Sequence, residues 1–437
     1  MHCNDTQIPL QPGALAAVLG AGKSGLAAAR LLKELGLAVR LLEKKPSLEL
    51  EELAGREGFE LILGEHAPQH FEGVDLVVPS PGFALSKLLP LLPERLRSRV
   101  MGEMELAFGQ TREPVLAITG TSGKTTTASL AAAMLREGGF KVFLGGNIGT
   151  PLSEYVLDVR KSPVNRCDVL VLEVSSFQLQ TCHTFRPKVG LLTNLSPNHL
   201  DYHADMAEYT DAKFRLFACQ GPEDTAIFPL EMENDSLVQN GLKQVRARKV
   251  FFKPSDNFKQ TSLLGLHNQA NLEAAWQACR PFGLELARAV KAAAEFKAIE
   301  HRLENLGEKK GVLFVNDSKS TTVESLKVAL LAMQRPVLLL AGGVFKGGDL
   351  KALRPLLQEK ARAVGLFGAS REIFEEAWQG AAPLSWSADL ATACANLLGQ
   401  AEAGDVLLLS PATASFDLYA NYKARGDDFK RIVEDLT

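Results

Sequence analysis

Gly120, Gly123, Lys124 and Thr125 have the types and spacing to grip a nucleoside triphosphate. They lie in VLAITGTSGKTTT (Val115–Thr127), where an apolar run meets a tight glycine turn and then a Lys-Thr pair that opens a helix. The glycines let the backbone curl so that its N–H groups converge. Together with the positive end of the helix dipole they bind phosphate. Lys124 adds a point charge for the β- and γ-phosphates, and Thr125 offers a hydroxyl to Mg²⁺. Thr121 and Ser122 complete the loop, and Thr126 continues the helix start. Strand, turn, Lys-Thr and helix in this order favour a nucleotide site over a bare glycine turn.

Further candidates follow along the chain. Glu173 ends the apolar run Val169-Leu170-Val171-Leu172, where a carboxylate either holds Mg²⁺ beside the γ-phosphate or caps a loop. His199 follows the next apolar run and is either a loop residue or a second metal position. Lys213 shares a helical face with Tyr209 and Leu216, the pattern of a lysine that snorkels from an amphipathic helix. In GLHNQANLEAA (Gly265–Ala275), Asn268 either caps a helix or, with Asn271, reads an adenine edge. Arg302 reaches phosphate or forms a surface ion pair. Asp317, Lys319 and Thr321 follow one predicted strand, and with Lys346 and Ser415 on other strand-end loops they can ring a small anionic substrate.

The elements that must position these groups read as an α/β chain of three domains: residues 1–101, 102–302 and 303–437. The first opens with a strand at Leu15–Leu19, the turn Gly20, Gly22, Gly25 and a second strand ending at Glu43, a Rossmann-like unit. The glycines suit the pyrophosphate of a dinucleotide or of a nucleotide sugar alike. A third strand, Val74–Val78, leads into Pro79-Ser80-Pro81-Gly82. The central domain is a P-loop ATPase-like parallel sheet with strands at Val115, Val169 and Val189, apolar throughout as strands buried on both faces must be. The stretch 222–265 carries no clear pattern. The last domain is again Rossmann-like α/β, with strands at Val312–Val315, Val337–Leu340, Ala363–Phe367 and Val406–Leu409.

Bulk properties narrow the classes. A chain of 437 residues exceeds one hydrophobic core. Its formal net charge of −3 argues against a nucleic-acid partner. The six cysteines are scattered, as expected for reduced thiols rather than a disulfide scaffold or zinc site. No apolar run is long enough to span a membrane, so a cytoplasmic location is expected.

The order of motifs resembles the Mur ligases. It runs G-T-x-G-K-T, E-x-S-S-F-Q-L, N-x-x-x-x-H-x-D, G-x-H-N-x-x-N, H-R, N-D-S-K and S-P-A-x-A-S-F-D over nearly the whole chain. Within that family EVSSFQLQ, NDSKST and LLSPATASFD are most similar to the member that adds D-glutamate. The resemblance implies an ATP-dependent amide ligase that extends UDP-N-acetylmuramoyl-L-alanine (UDP-MurNAc-L-Ala) through an acyl phosphate. It implies two Mg²⁺ or Mn²⁺ ions and a carbamylated lysine. It implies catalytic roles for Lys124, His199, Lys213 and Lys319, and metal ligation by Thr125, Glu173, His199 and carbamylated Lys213. ATP would meet Gly120 through Thr126 with Asn268, Asn271, Arg302 and Asp317. UDP-MurNAc-L-Ala would meet Gly22, Ser80, Pro81, Gly82, Asn147, Ser175 and Gln178, and D-glutamate Thr321, Lys346, Ser415 and Tyr422. A monomer, free of membrane and nucleic acid, is expected. The chain departs from the family pattern at Ser122, Asn198 and Tyr422. Three other readings are a folate polyglutamate synthase, which the Ser80-Pro81-Gly82 turn and SSFQL disfavour, a nicotinamide-dependent oxidoreductase, and a P-loop switch with no ligase step.

Overall fold

A computed structural model describes residues 8–197 and 202–436. His199 falls outside the described residues. The chain forms two compact units, one of Met1–Lys253 with Asn271–Ala292, the other of Pro254–Ala270 with Ala293–Thr437.

The first unit contains two sheets. In the first, β1 (Leu15–Leu19), β2 (Ala38–Glu43), β3 (Glu60–Leu63) and β4 (Leu76–Pro79) are all parallel in the order β3-β2-β1-β4. That is the strand order of a Rossmann half. In the second, β5 (Val115–Thr119), β6 (Val142–Gly146), β7 (Val169–Glu173), β8 (Val189–Leu192), β9 (Thr225–Pro229) and β10 (Arg248–Phe252) run in the order β10-β9-β8-β5-β7-β6, again all parallel. β5, β7 and β8 are buried along their whole length, which explains why each reads as an unbroken apolar run. The Ala-rich helix Lys23–Glu34 buries Ala27, Ala28, Ala29, Leu31 and Leu32. It packs against helices Glu103–Phe108 and Leu152–Lys161. One apolar core therefore runs from Ala16 and Val18 through these helices to Leu170 and Leu172 and joins the two sheets.

The second unit holds β11 (Glu304–Lys309), β12 (Val312–Asn316), β13 (Val337–Gly342), β14 (Ala361–Phe367), β15 (Leu384–Ser387) and β16 (Val406–Leu409), ordered β11-β12-β16-β13-β14-β15. β11 pairs antiparallel with β12 and the other strands are parallel. Successive side chains on a strand face opposite sides of the sheet, so each central strand feeds two cores. Leu339 and Leu408 pack with Leu326, Leu330 and Trp378 on one face. Leu338, Leu407 and Leu409 pack with Cys394, Leu397 and Phe429 on the other. The α/β class and the parallel sheets match expectation. β3, β6, β9, β10, β11 and β15 were not foreseen. No helix among the described residues is long and apolar enough to cross a membrane. Cys167, Cys182, Cys279 and Cys394 are free thiols, whereas Cys219 is disulfide-bonded, contrary to the reduced-thiol expectation at that position.

Candidate active site

The loop after β5 curls as its glycines require. Gly120 has φ of 149° and Gly123 of 77°, both in the region that only glycine enters freely. Space forbids a side chain at either: a Cβ on Gly120 would lie 1.9 Å from Thr193 Oγ1, and one on Gly123 2.5 Å from Asn271 Oδ1. Gly123 is the N-cap of helix Lys124–Glu137 and offers it no side-chain cap. The first-turn N–H groups are thus presented to a ligand. Residues distant in sequence fix the curl. Ser122 N–H donates to Asn194 Oδ1 (2.9 Å), while Thr193 Oγ1 and Asn194 Nδ2 donate to the Ser122 carbonyl (2.7 and 3.0 Å). The Thr121 hydroxyl sits 3.2 Å from the Tyr209 hydroxyl and donates to the Ser196 carbonyl.

Two lysine side chains meet at this loop. Lys124 Nζ donates to the Gly120 and Thr121 carbonyls (2.8 and 3.0 Å), and Lys213 Nζ donates to the Gly120 carbonyl (2.8 Å). Lys213 does not snorkel to solvent. It is only 1% exposed and lies over the Tyr209 ring, 4.5 Å from the centroid. Burial, and then the nearby Lys124 charge, push its pKa down to about 6.

Beside the lysines lies an oxygen cluster. Thr125 Oγ1 donates to Glu173 Oε2 (2.8 Å), Asn147 Nδ2 donates to Glu173 Oε1 (2.7 Å), and Asn147 N–H donates to the Glu173 carbonyl. Hydroxyl and carboxylate oxygens suit a hard divalent cation. Among the described residues no group of three or more His, Cys, Asp or Glu side chains is arranged to hold a metal ion. A Mg²⁺ ion held by one carboxylate, a hydroxyl and substrate phosphates fits this donor set. Ser175 and Gln178 lock each other in a capping box at the start of helix Ser176–Leu179. Strands β5, β7 and β6 are neighbours. Their ends therefore bring Lys124, Thr125, Glu173, Ser175 and Asn147 to one edge of the sheet.

On the first sheet, Gly22 begins helix Lys23–Glu34 at the end of β1, and Ser80-Pro81-Gly82 follows the neighbouring β4. Ser80 Oγ donates to the Gly20 carbonyl at 3.4 Å. In a dinucleotide fold the amides of this glycine turn face pyrophosphate. Here Glu43 Oε2 already accepts from Ala21 N–H at 2.8 Å, and Glu43 Oε1 from Lys44 and Lys45.

Asn271 accepts from Thr127 Oγ1 at 3.2 Å, which places it against the phosphate loop. Asn268 lies inside helix Leu266–Cys279, not at its cap. Its Nδ2 donates back to the Leu264 carbonyl (2.8 Å), so the capping reading does not hold.

In the second unit β12, β16 and β13 lie side by side and parallel. Their following loops bring Asp317, Lys319 and Thr321, Ser415, and Lys346 to one edge. Lys319 Nζ stands over the Tyr422 ring (4.1 Å) and Lys346 Nζ over the Phe416 ring (5.6 Å). The fully buried Arg425, which carried no local sequence signal, ties two of these loops. It donates to the Ser318 hydroxyl and carbonyl (3.0 and 2.9 Å) and to the Thr413 carbonyl (3.0 Å). Asp317 is also buried. It accepts from Leu303 N–H and from Ser410 Oγ, and Arg302 and Arg425 pull its pKa down. Burial outweighs them all and raises the carboxyl from 3.8 to about 7.

A nucleotide-type loop on a parallel sheet, in a chain that also holds Rossmann-like sheets, agrees with the comparisons to known proteins. The profile of the Mur ligase middle domain matches residues 118–262, and that of the Mur ligase glutamate ligase domain residues 301–413. The chain belongs to the Mur ligase family and is a ligase. It is 56% identical over 437 residues to the UDP-N-acetylmuramoylalanine–D-glutamate ligase of Oleidesulfovibrio alaskensis, covering 99% of this chain and 97% of the relative. It is also 56% identical over 435 residues to the ligase of the same name from Nitratidesulfovibrio vulgaris, covering 97% of each. The fold is shared with the MurF ligase of Thermotoga maritima, solved in complex with ADP, at 17% identity and a TM-score of 0.59 over 98% of this chain and 96% of that one.

The sign of the Asp317 effect is testable. Its folded pKa, about 7, lies above the ordinary aspartate value of 3.8, so its protonated form favours the folded state. That contribution is complete below about pH 4 and is lost as pH rises through about 7. Relative to Asp317→Asn, the unmodified protein should lose stability between pH 4 and 7 and level off above. Urea unfolding of both proteins across this range checks it, and parallel pH curves would contradict it.

Proposed function

We propose that this ligase joins the amine of D-glutamate to the L-alanyl carboxylate of UDP-MurNAc-L-Ala, converting ATP to ADP and phosphate, as a step of peptidoglycan precursor synthesis. Whole-length identity to ligases bearing that name supports the substrates. The single geometric observation that carries the reading is the phosphate loop with Lys124 and Lys213 on the Gly120 carbonyl, next to the Thr125–Glu173 pair.

On this reading residues 1–101 take the nucleotide sugar, 102–302 take ATP and 303–437 take D-glutamate. A carboxylate is a poor electrophile. Its oxygen attacks the γ-phosphorus, ADP leaves, and the resulting acyl phosphate carries a good leaving group. The amine of D-glutamate then attacks the carbonyl carbon, phosphate departs and the nitrogen loses its proton. Lys124 and the loop amides from Gly120 to Thr126 hold the transferring phosphoryl group. Asn268 and Asn271 meet the adenine, and Arg302 and Asp317 the rest of the nucleotide. Gly22, Ser80, Pro81, Gly82, Asn147, Ser175 and Gln178 line the acceptor groove. Thr321, Lys346, Ser415 and Tyr422 bind D-glutamate, and Lys319 stands near the reacting atoms. Thr125 and Glu173, with His199 and Lys213 as its carbamate, would hold two Mg²⁺ or Mn²⁺ ions, which when bound offset phosphoryl charge.

A neutral lysine is what carbamylation needs. The free amine adds to CO₂ and loses a proton, which turns a would-be cation into an anionic oxygen ligand. Burial of Lys213 supports this.

Phosphate release should require UDP-MurNAc-L-Ala and D-glutamate together, and equal rates with L-glutamate or L-lysine would refute the assignment. Lys124→Ala should abolish release while calorimetry still detects acceptor binding; retained turnover would contradict its role. Lys213→Ala should lose most activity and regain part of it with short carboxylic acids such as acetate. No recovery at any concentration would argue against the carbamate.

A further inference from the structure

Helix Ser176–Leu179 has only four residues and carries Gln178, with Ser175 as its cap. So short a helix has no stability of its own, because nucleation costs more than one turn returns. Its capping box fixes its shape but not its place. Something outside it must set where Ser175 and Gln178 point.

His203 does this by geometry. Its side chain is fully buried and its Nε2 lies 3.0 Å from Ser176 Oγ. The ring stacks on Phe177 with centroids 5.6 Å apart and planes 18° from parallel. On the other side Nδ1 faces Glu208 Oε1 at 3.6 Å, and the same Glu208 oxygen accepts from Gln180 Nε2 at 3.0 Å. Glu208 Oε2 accepts from Ala204 N–H. Glu208 belongs to helix Met206–Phe214, which also carries Tyr209 and Lys213 at the phosphate loop. His203 also packs on Tyr209, with centroids 5.2 Å apart. One imidazole therefore couples the turn bearing Ser175 and Gln178 to the helix that touches the triphosphate loop.

We propose that His203 is a positioning residue that holds the Ser175–Gln178 turn in register for the acceptor substrate through the Ser176 hydroxyl. This rests on the acceptor groove assigned above. His203 touches neither reacting atoms nor ATP in this role, so its loss should be felt in acceptor recognition and not in nucleotide binding.

The test compares His203→Phe, His203→Gln, Ser176→Ala and the double variant His203→Phe/Ser176→Ala, with UDP-MurNAc-L-Ala and ATP varied separately. Phenylalanine keeps a ring against Phe177 and loses the nitrogen. Glutamine keeps a polar group able to reach Ser176. One hydrogen bond is worth about a fivefold to tenfold change. His203→Phe and Ser176→Ala should each raise the acceptor KM by that factor and leave the ATP KM unchanged. The double variant should be no worse than either, and His203→Gln should stay near the unmodified value. Equal rises in both KM values, multiplying effects in the double variant, or an unaltered acceptor KM in Ser176→Ala would overturn the proposal. Ser176→Ala decides alone if His203→Phe does not fold. If the unmodified protein fails to extend the acceptor, the proposed function fails instead.

Discussion

Everything at the nucleotide site hangs on one carbonyl oxygen. Gly120 C=O receives both Lys124 and Lys213, and the turn that presents it requires glycine, because a side chain at position 120 would collide with Thr193. Two ammonium groups cannot both stay charged there at little cost. Lys124 closes the loop through the Gly120 and Thr121 carbonyls, whereas Lys213, buried and close to Lys124, has its pKa pushed down to about 6. Burial is the larger cause of that shift, and the Lys124 charge adds to it.

The sheets serve that arrangement by bringing strand ends together. β5, β7 and β6 are neighbours, so residues far apart in sequence, Thr125, Glu173 and Asn147, become hydrogen-bond partners. In the second unit the neighbours β12, β16 and β13 bring the loops bearing Lys319, Ser415 and Lys346 to one edge, and buried Arg425 laces the loops after β12 and β16. A parallel sheet gathers its following loops at one edge, and each loop can then specialise without disturbing the core.

Much of this was legible in the residues. β1, β5, β7, β8, β13 and β16 declare themselves because strands buried on both faces must be apolar throughout. The strands that escaped lack that signature. β11, with the sequence ENLGEK, is a polar edge strand, and β15, LSWS, is a short one. β9 is fully buried yet has only Ala226-Ile227-Phe228 between threonine and proline, in a stretch with no other period. The phosphate loop was read from local spacing alone. The residues that shape it, Thr193, Asn194 and Tyr209, were not, since each acts from more than 70 positions away on a backbone group or hydroxyl. Arg425 and His203 escaped because their partners Ser318 and Ser176 lie 107 and 27 positions away, outside any local motif. An asparagine near a helix start has two uses, and the Leu264 contact removes the capping one for Asn268.

The central claim is that the loop from Gly120 to Thr125 delivers the γ-phosphoryl group to a carboxylate oxygen. Oxygen tracing tests it most directly. UDP-MurNAc-L-Ala labelled with ¹⁸O in its L-alanyl carboxylate, incubated with ATP and D-glutamate, should yield inorganic phosphate carrying one labelled oxygen for each amide formed. Amide formation with unlabelled phosphate would contradict the account.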